Sequence, residues 1–175
     1  MNPADLYVFS GTGNTWLAAS RVRDILCAQG AGATLHRLET SNPAHIDPAR
    51  TLGIAFPIAC FATYPLVIDF LQRLPQGNGD GVFLLTTLGG NSAQYPGRLR
   101  SLLDQKGYTL LGAAEIIMPD NIFGRGELTP AQQTKIAAGL ARADAFAHEL
   151  LEGRAVWPAA PAREPLLARL SGRAF

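Results

Sequence analysis

A chain of 175 residues suits one domain with a full hydrophobic core and leaves little room for two. Hydrophobic residues make up 47% and charged residues 17% of it, which excludes a disordered chain. The formal net charge of +1 at pH 7 lacks the basic footprint of a nucleic-acid or anionic-membrane binder, so neither is expected as a partner.

Along the chain, apolar runs alternate with helical stretches, the pattern of a parallel sheet covered on both faces. Leu6 to Phe9 reads as a buried strand, and the polar, glycine-containing run Ser10 to Thr15 as the turn that leaves it. A helix follows with Ala18, Val22, Ile25 and Leu26 on one face, ending at Gly30 and Gly32. Ala33 to Leu38 reads as the second strand, and Leu52 to Phe56, stopped by Pro57, as the third. The next helix carries Leu66, Val67, Phe70, Leu71 and Leu74 at helical spacing. After the turn at residues 77–81, Val82 to Thr87 is a fourth strand, and Leu99, Leu102 and Leu103 mark the following helix. Tyr108 to Met118 supplies a fifth strand. Thr129-Pro130-Ala131-Gln132 opens the last helix with capping-box spacing, and Ile136, Leu140, Ala143, Ala147 and Leu150 continue its stripe. The expected domain runs over residues 1–156. Residues 157–175, rich in Pro, Ala and Arg, read as a tail or linker.

The remaining titratable residues offer little chemistry. Cys27 and Cys60 are too far apart for a metal motif, and Cys27, inside a predicted helix, is expected as a buried small hydrophobe. His36, His45 and His148 have no ligand spacing and read as surface or satisfied side chains. No stretch approaches transmembrane length, and the start, Met1-Asn2-Pro3-Ala4-Asp5, has no basic export segment, so a cytoplasmic protein is expected.

Five strands with interleaved helices make a doubly wound sheet, whose ligands bind outside the carboxyl ends of the strands. There lies Ser10-Gly11-Thr12-Gly13-Asn14-Thr15, between an apolar strand and a helix. Backbone N–H groups and the helix dipole favour an anion at such a place. The glycines let the backbone wrap a phosphate, and the hydroxyls and amide add donors. No lysine accompanies the loop, against a nucleoside triphosphate site. Trp16 stands where a dinucleotide fingerprint needs its third glycine. A mononucleotide phosphate fits best.

FSGTGNT directly after the first strand resembles the FMN phosphate loop of flavodoxins, and more closely the flavodoxin domains found alone or fused to ferredoxins in bacteria and archaea. The resemblance spans residues 4 to 150 and includes AFPI at Ala55 to Ile58, TTLGGN at Thr86 to Asn91 and MPDNI at Met118 to Ile122. It implies an α/β, flavodoxin-like, doubly wound five-stranded parallel sheet of order 2-1-3-4-5 that holds FMN. Ser10, Gly11, Thr12, Gly13, Asn14 and Thr15 would bind the phosphate. The ring would lie between Pro57, Ile58, Ala59, Cys60 and Phe61 on one side and Thr87, Leu88, Gly89, Gly90 and Asn91 on the other, with Asn121 at its edge. Phe61, Tyr64 and Tyr95 are candidates to stack on it.

The implied function is electron transfer between a redox partner, such as an iron-sulfur ferredoxin fused or separate, and an acceptor. No catalytic acid or base is required of the protein. Two alternatives stand beside it: an NAD(P)H-dependent FMN quinone or flavin reductase, and a flavin-free partner-binding module of the same fold. The first loop, Ile58 to Tyr64, lacks the glycine pair that many relatives carry, and the chain lacks their acidic balance.

Overall fold

The computed structural model describes residues 1–92, 94–120 and 127–159. In chain order the elements are β1 (Ala4–Val8), α1 (Asn14–Ala28), β2 (Ala33–Arg37), β3 (Thr51–Pro57), α2 (Pro65–Gln72), β4 (Gly81–Leu88), α3 (Tyr95–Gln105), β5 (Thr109–Ile117) and α4 (Pro130–Leu151), with short 3-10 turns at Leu38–Thr40 and Pro43–His45. The strands form one parallel sheet in the order β2-β1-β3-β4-β5, the expected doubly wound arrangement. Because β1 is flanked by β2 on one side and β3 on the other, the chain winds outward in both directions from that seam, and the loops at the carboxyl ends of β1 and β3 diverge there.

Each face of the sheet has its own core, as strands that read as unbroken apolar runs require. On one face Ile54, Phe56, Val82 and Leu84 pack with Val67, Phe70 and Leu71 of α2 and Leu99 and Leu103 of α3. On the other, Leu6, Val8, Phe83, Leu85 and Ile116 pack with Ala18, Val22 and Leu26 of α1 and Ala143, Phe146 and Ala147 of α4. Phe56, Phe83, Leu6, Leu84 and Leu85 are fully buried, each side chain contributing roughly 1.5–3 kcal/mol of transfer free energy. Gly53 is required at the centre, since a Cβ there would lie 2.6 Å from the Phe83 ring and 2.7 Å from Leu6.

Several faces differ from the periodicity. Leu66 of α2 turns away from the core and is 39% exposed, and Ile25 of α1 packs only at the edge of its core, partly buried. In α4 the buried stripe is Gly139, Ala143, Phe146, Ala147 and Leu150, while Ile136 and Leu140 are only half-buried. The helix is rotated so that Gly139, not a larger neighbour, meets the end of β5: a Cβ on it would lie 2.6 Å from Met118 Sδ and 2.8 Å from the Ile117 carbonyl oxygen. The Thr129 capping box forms as expected, with reciprocal bonds to Gln132. Cys27 is exposed rather than buried. Its sulfur accepts a hydrogen bond from the Ala33 N–H at 3.2 Å, so it serves the turn into β2 instead of the core.

His36 is satisfied by Asp5, 2.9 Å away, and Asp5 also pairs with Arg50 at 2.8 Å. The start of the expected tail is part of the core: Trp157 is 5% exposed, and its indole N–H donates to the Pro96 carbonyl at 2.8 Å. The segment before it runs beside β5, where the Ala113 N–H donates to the Val156 carbonyl at 3.1 Å and Ala155 lies against Gly112. Composition alone misses this, because one anchoring tryptophan outweighs its proline-rich surroundings. Residues 160–175 of that tail, and Asn121, lie outside the described residues.

Candidate functional site

Between Val8 and α1 the loop is built around Ser10. Its hydroxyl accepts hydrogen bonds from the Gly13 N–H at 3.1 Å and the Trp16 N–H at 3.3 Å, drawing the loop closed over the start of α1. Gly13 takes φ 97° there, a left-handed conformation that glycine adopts without a Cβ clash. A Cβ on Gly11 or Gly13 would meet nothing within 4 Å, so the backbone lies open. The first turn of α1 contains no acidic residue, and its positive dipole end is therefore unopposed from within the helix.

Two long-range bonds fasten this loop to the far strands. The Asn14 side-chain amide donates to the Pro119 carbonyl at 3.0 Å, and the Thr15 and Thr87 hydroxyls meet at 2.7 Å. Asn14 and Thr15, expected as phosphate donors, thus also have structural partners.

The second wall follows β3. The Ile58 N–H donates to the Thr87 carbonyl at 2.8 Å, and the Thr63 hydroxyl to the Pro57 carbonyl at 3.0 Å. Between them Ala59 and Ala62 exchange both backbone bonds, at 2.8 and 3.0 Å, across a tight turn whose central residues, Cys60 and Phe61, have φ of 49° and 62°. Positive φ at both centres is the geometry of a type I′ turn; the turn forms without the glycine pair that many relatives carry. Cys60 is exposed. The third wall is the loop after β4, joined to the end of β5 by the Met118 N–H, which donates to the Leu88 carbonyl at 2.9 Å.

These walls enclose an open cavity of about 500 Å³. Gly11, Thr12, Asn14 and Thr15 line it with all of residues 57–61 and 87–91, so three segments far apart in sequence meet at one place. Ser10 and Gly13 do not line it. They border an adjacent cleft of about 430 Å³ with Trp16, Leu17, Ser20, Arg37 and Glu39, on the other side of the loop.

Met118, Pro119 and Asp120 also form the wall. The MPDNI segment, which follows the fifth strand, is the sequence signal that reaches them. Tyr64 lines the cavity as well and is braced by Phe9, ring centroids 5.0 Å apart and edge to face. Tyr95, the other stacking candidate, is a core residue against Phe56, 6.1 Å between centroids. Asp120 is the one charged lining residue among those described.

The arrangement suits a small molecule with an anionic end at the glycine loop and a larger body between the other two. Its volume falls in the range of ligand sites, about 300–1,000 Å³. Among the described residues no cluster of His, Cys, Asp or Glu could hold a metal ion, and no helix is long and apolar enough to cross a membrane.

No family model matches the chain, and no curated protein matches it. Solved structures do. The two-electron reduced flavodoxin of Megasphaera elsdenii superposes with a TM-score of 0.58 at 22% identity, covering 79% of this chain and 98% of that one. Oxidised flavodoxin 2 of Bacillus cereus gives 0.63 at 15% identity, over 86% of this chain and 98% of that one. The NAD(P)H:quinone oxidoreductase of Methanothermobacter marburgensis gives 0.55 at 14% identity, over 86% and 97%. With the strand order and flanking helices described above, these likenesses establish that the chain has the flavodoxin-like fold.

Proposed function

We propose that this chain binds FMN noncovalently in the cavity and passes electrons between a redox partner protein and an acceptor. The observation that carries the reading is the convergence of the glycine loop with residues 57–61 and 87–91 around one cavity at the carboxyl ends of β1, β3 and β4. The residues fit the group. The N–H groups of the loop and the start of α1 that do not already donate to Ser10 would hold the phosphate, and Gly11, which lines the cavity, leaves room for it to approach. Backbone groups of residues 57–61 and 87–91 would bond the ring edge, Tyr64 and Phe61 would cover its faces, and Asn121 would contact its rim. The flavin, when bound, supplies one- or two-electron chemistry; the protein binds, orients and sets the local charge.

A small iron-sulfur protein, separate or fused, is the partner this reading favours, in the cytoplasm. The similarity to an NAD(P)H:quinone oxidoreductase supports the reductase alternative, which turnover of NADH or NADPH with a quinone would reveal.

The visible absorption spectrum of the purified protein, before and after FMN is added, tests the proposal. Flavin bands with FMN released on denaturation, or saturable uptake, are expected. Folded protein that ignores FMN would overturn it in favour of a partner-binding module.

A further inference from the structure

Lys135 was not singled out by any motif. It lies in the second turn of α4, and its ammonium donates to the Gly89 carbonyl at 2.7 Å. Gly89 lines the cavity, so one peptide group separates the cation from the site. Local helix energetics do not account for a lysine here, since a positive charge near a helix N-terminus gains nothing from the macrodipole. The position is set from the opposite direction. Lys135 and Gly139 are four residues apart and share a helix face, and Gly139 lets α4 seat directly on Ile117 and Met118. That close contact brings the preceding turn, and Lys135 with it, over the loop that leaves β4.

Resting on the FMN reading above, we infer that Lys135 is a positioning residue of the flavin site, tethering the 87–91 loop through the Gly89 carbonyl and setting a positive charge behind it. Gly89 and Gly90 are exposed glycines; a Cβ on Gly90 would meet nothing within 4 Å and one on Gly89 only Asp120, at 3.7 Å, and backbone of this kind has wide conformational freedom. A charge-assisted bond to a carbonyl is stronger than a neutral one and limits that freedom. The charge acts too. Reduction gives the flavin anionic character, and a nearby cation stabilises the reduced form relative to the oxidised one, the reverse of what an acidic surround does.

Lys135 is only partly buried, so its substitution leaves the core intact. The test compares Lys135→Met and Lys135→Arg with the parent protein in two ways. Without FMN, amide hydrogen exchange across residues 87–91 is expected to quicken on the order of tenfold in the methionine variant, the loss of one charge-assisted bond, and to stay near the parent value in the arginine variant. With FMN bound, the methionine variant is expected to lose affinity for reduced flavin about threefold to tenfold more than for oxidised flavin, read as a lower midpoint potential, and arginine is expected to restore it. Unchanged exchange, or an unchanged potential, in Lys135→Met overturns the inference. If the parent protein binds no FMN, the functional reading fails, and the exchange measurement still decides whether the tether exists.

Discussion

The hydroxyls of Thr15 and Thr87 meet at 2.7 Å in a buried seam between α1 and β4. Thr15 is 1% and Thr87 2% exposed, so neither hydroxyl has water as a substitute partner. Each therefore holds the other, and the glycine loop is fixed relative to the loop after β4 by a bond between residues 72 positions apart.

Replacing either threonine alone with valine strands the other hydroxyl, which costs about 1–3 kcal/mol. Replacing both removes the polar pair and leaves two methyl-bearing side chains of similar shape, so the double variant should be close to the parent and more stable than either single one. A double-mutant cycle by urea denaturation checks this; additive losses would mean the two hydroxyls do not depend on each other.

The Thr15–Thr87 bond also marks where sequence reasoning stops. A parallel sheet covered on both faces was legible because Leu52 to Phe56 and Val82 to Thr87 are nearly unbroken apolar runs, whereas its order 2-1-3-4-5 came only with the resemblance carried by FSGTGNT. The glycine loop was legible because its residue types and its place between strand and helix coincide. Lys135 was not, since it reaches the site through a tertiary contact with Gly89 and belongs to no local pattern. Cys27 and Trp157 were misread for the same reason. Helical position suggested burial for one and proline-rich surroundings suggested exposure for the other, while their actual partners, Ala33 and Pro96, are set by the packing of the whole.

The turn at Cys60 and Phe61 carries two non-glycine residues at positive φ, a conformation costing L-residues roughly 1–2 kcal/mol each. Asparagine tolerates this region and is favoured at the first centre of a type I′ turn. Cys60→Asn should therefore raise the stability of the flavin-free protein by about 0.5–1 kcal/mol, since the exposed thiol gives up little packing. Denaturation midpoints of the two proteins under reducing conditions provide the comparison, and a loss of stability would show that the thiol packs after all.

Trp157 fastens the chain beyond α4 to α3, next to the bond that its neighbour Val156 accepts from Ala113 of β5. Its indole N–H bonds the Pro96 carbonyl at 2.8 Å and its own carbonyl accepts from Arg100 at 3.3 Å. Trp157→Ala should cost about 3–5 kcal/mol, and Trp157→Phe less, chiefly the bond to Pro96. In the parent protein the Trp157 indole should resist quenching by acrylamide, because it is 5% exposed. A Trp16→Phe background isolates its fluorescence, and ready quenching there would indicate that the segment is not held in solution.

Tyr108 stands at the entrance to β5, with its hydroxyl donating to the Pro75 carbonyl at 3.2 Å. Burial, and secondarily the negative charge of Asp80, push its pKa up from 10.0 to about 12. Folding thus favours the protonated phenol. Its contribution to stability is fully present below the unfolded value of 10.0 and is lost as the pH rises toward about 12, because above 10.0 the unfolded chain releases a proton that the folded chain retains. Tyr108→Phe keeps the ring and removes the ionisation, so the variant should lose less stability than the parent between pH 10 and 12 and match its pH dependence below that window. Urea denaturation of both proteins across the window gives the difference directly. A constant difference at every pH would place the ionisation of Tyr108 at its ordinary value and leave only its hydrogen bond to Pro75 to explain the effect of the substitution.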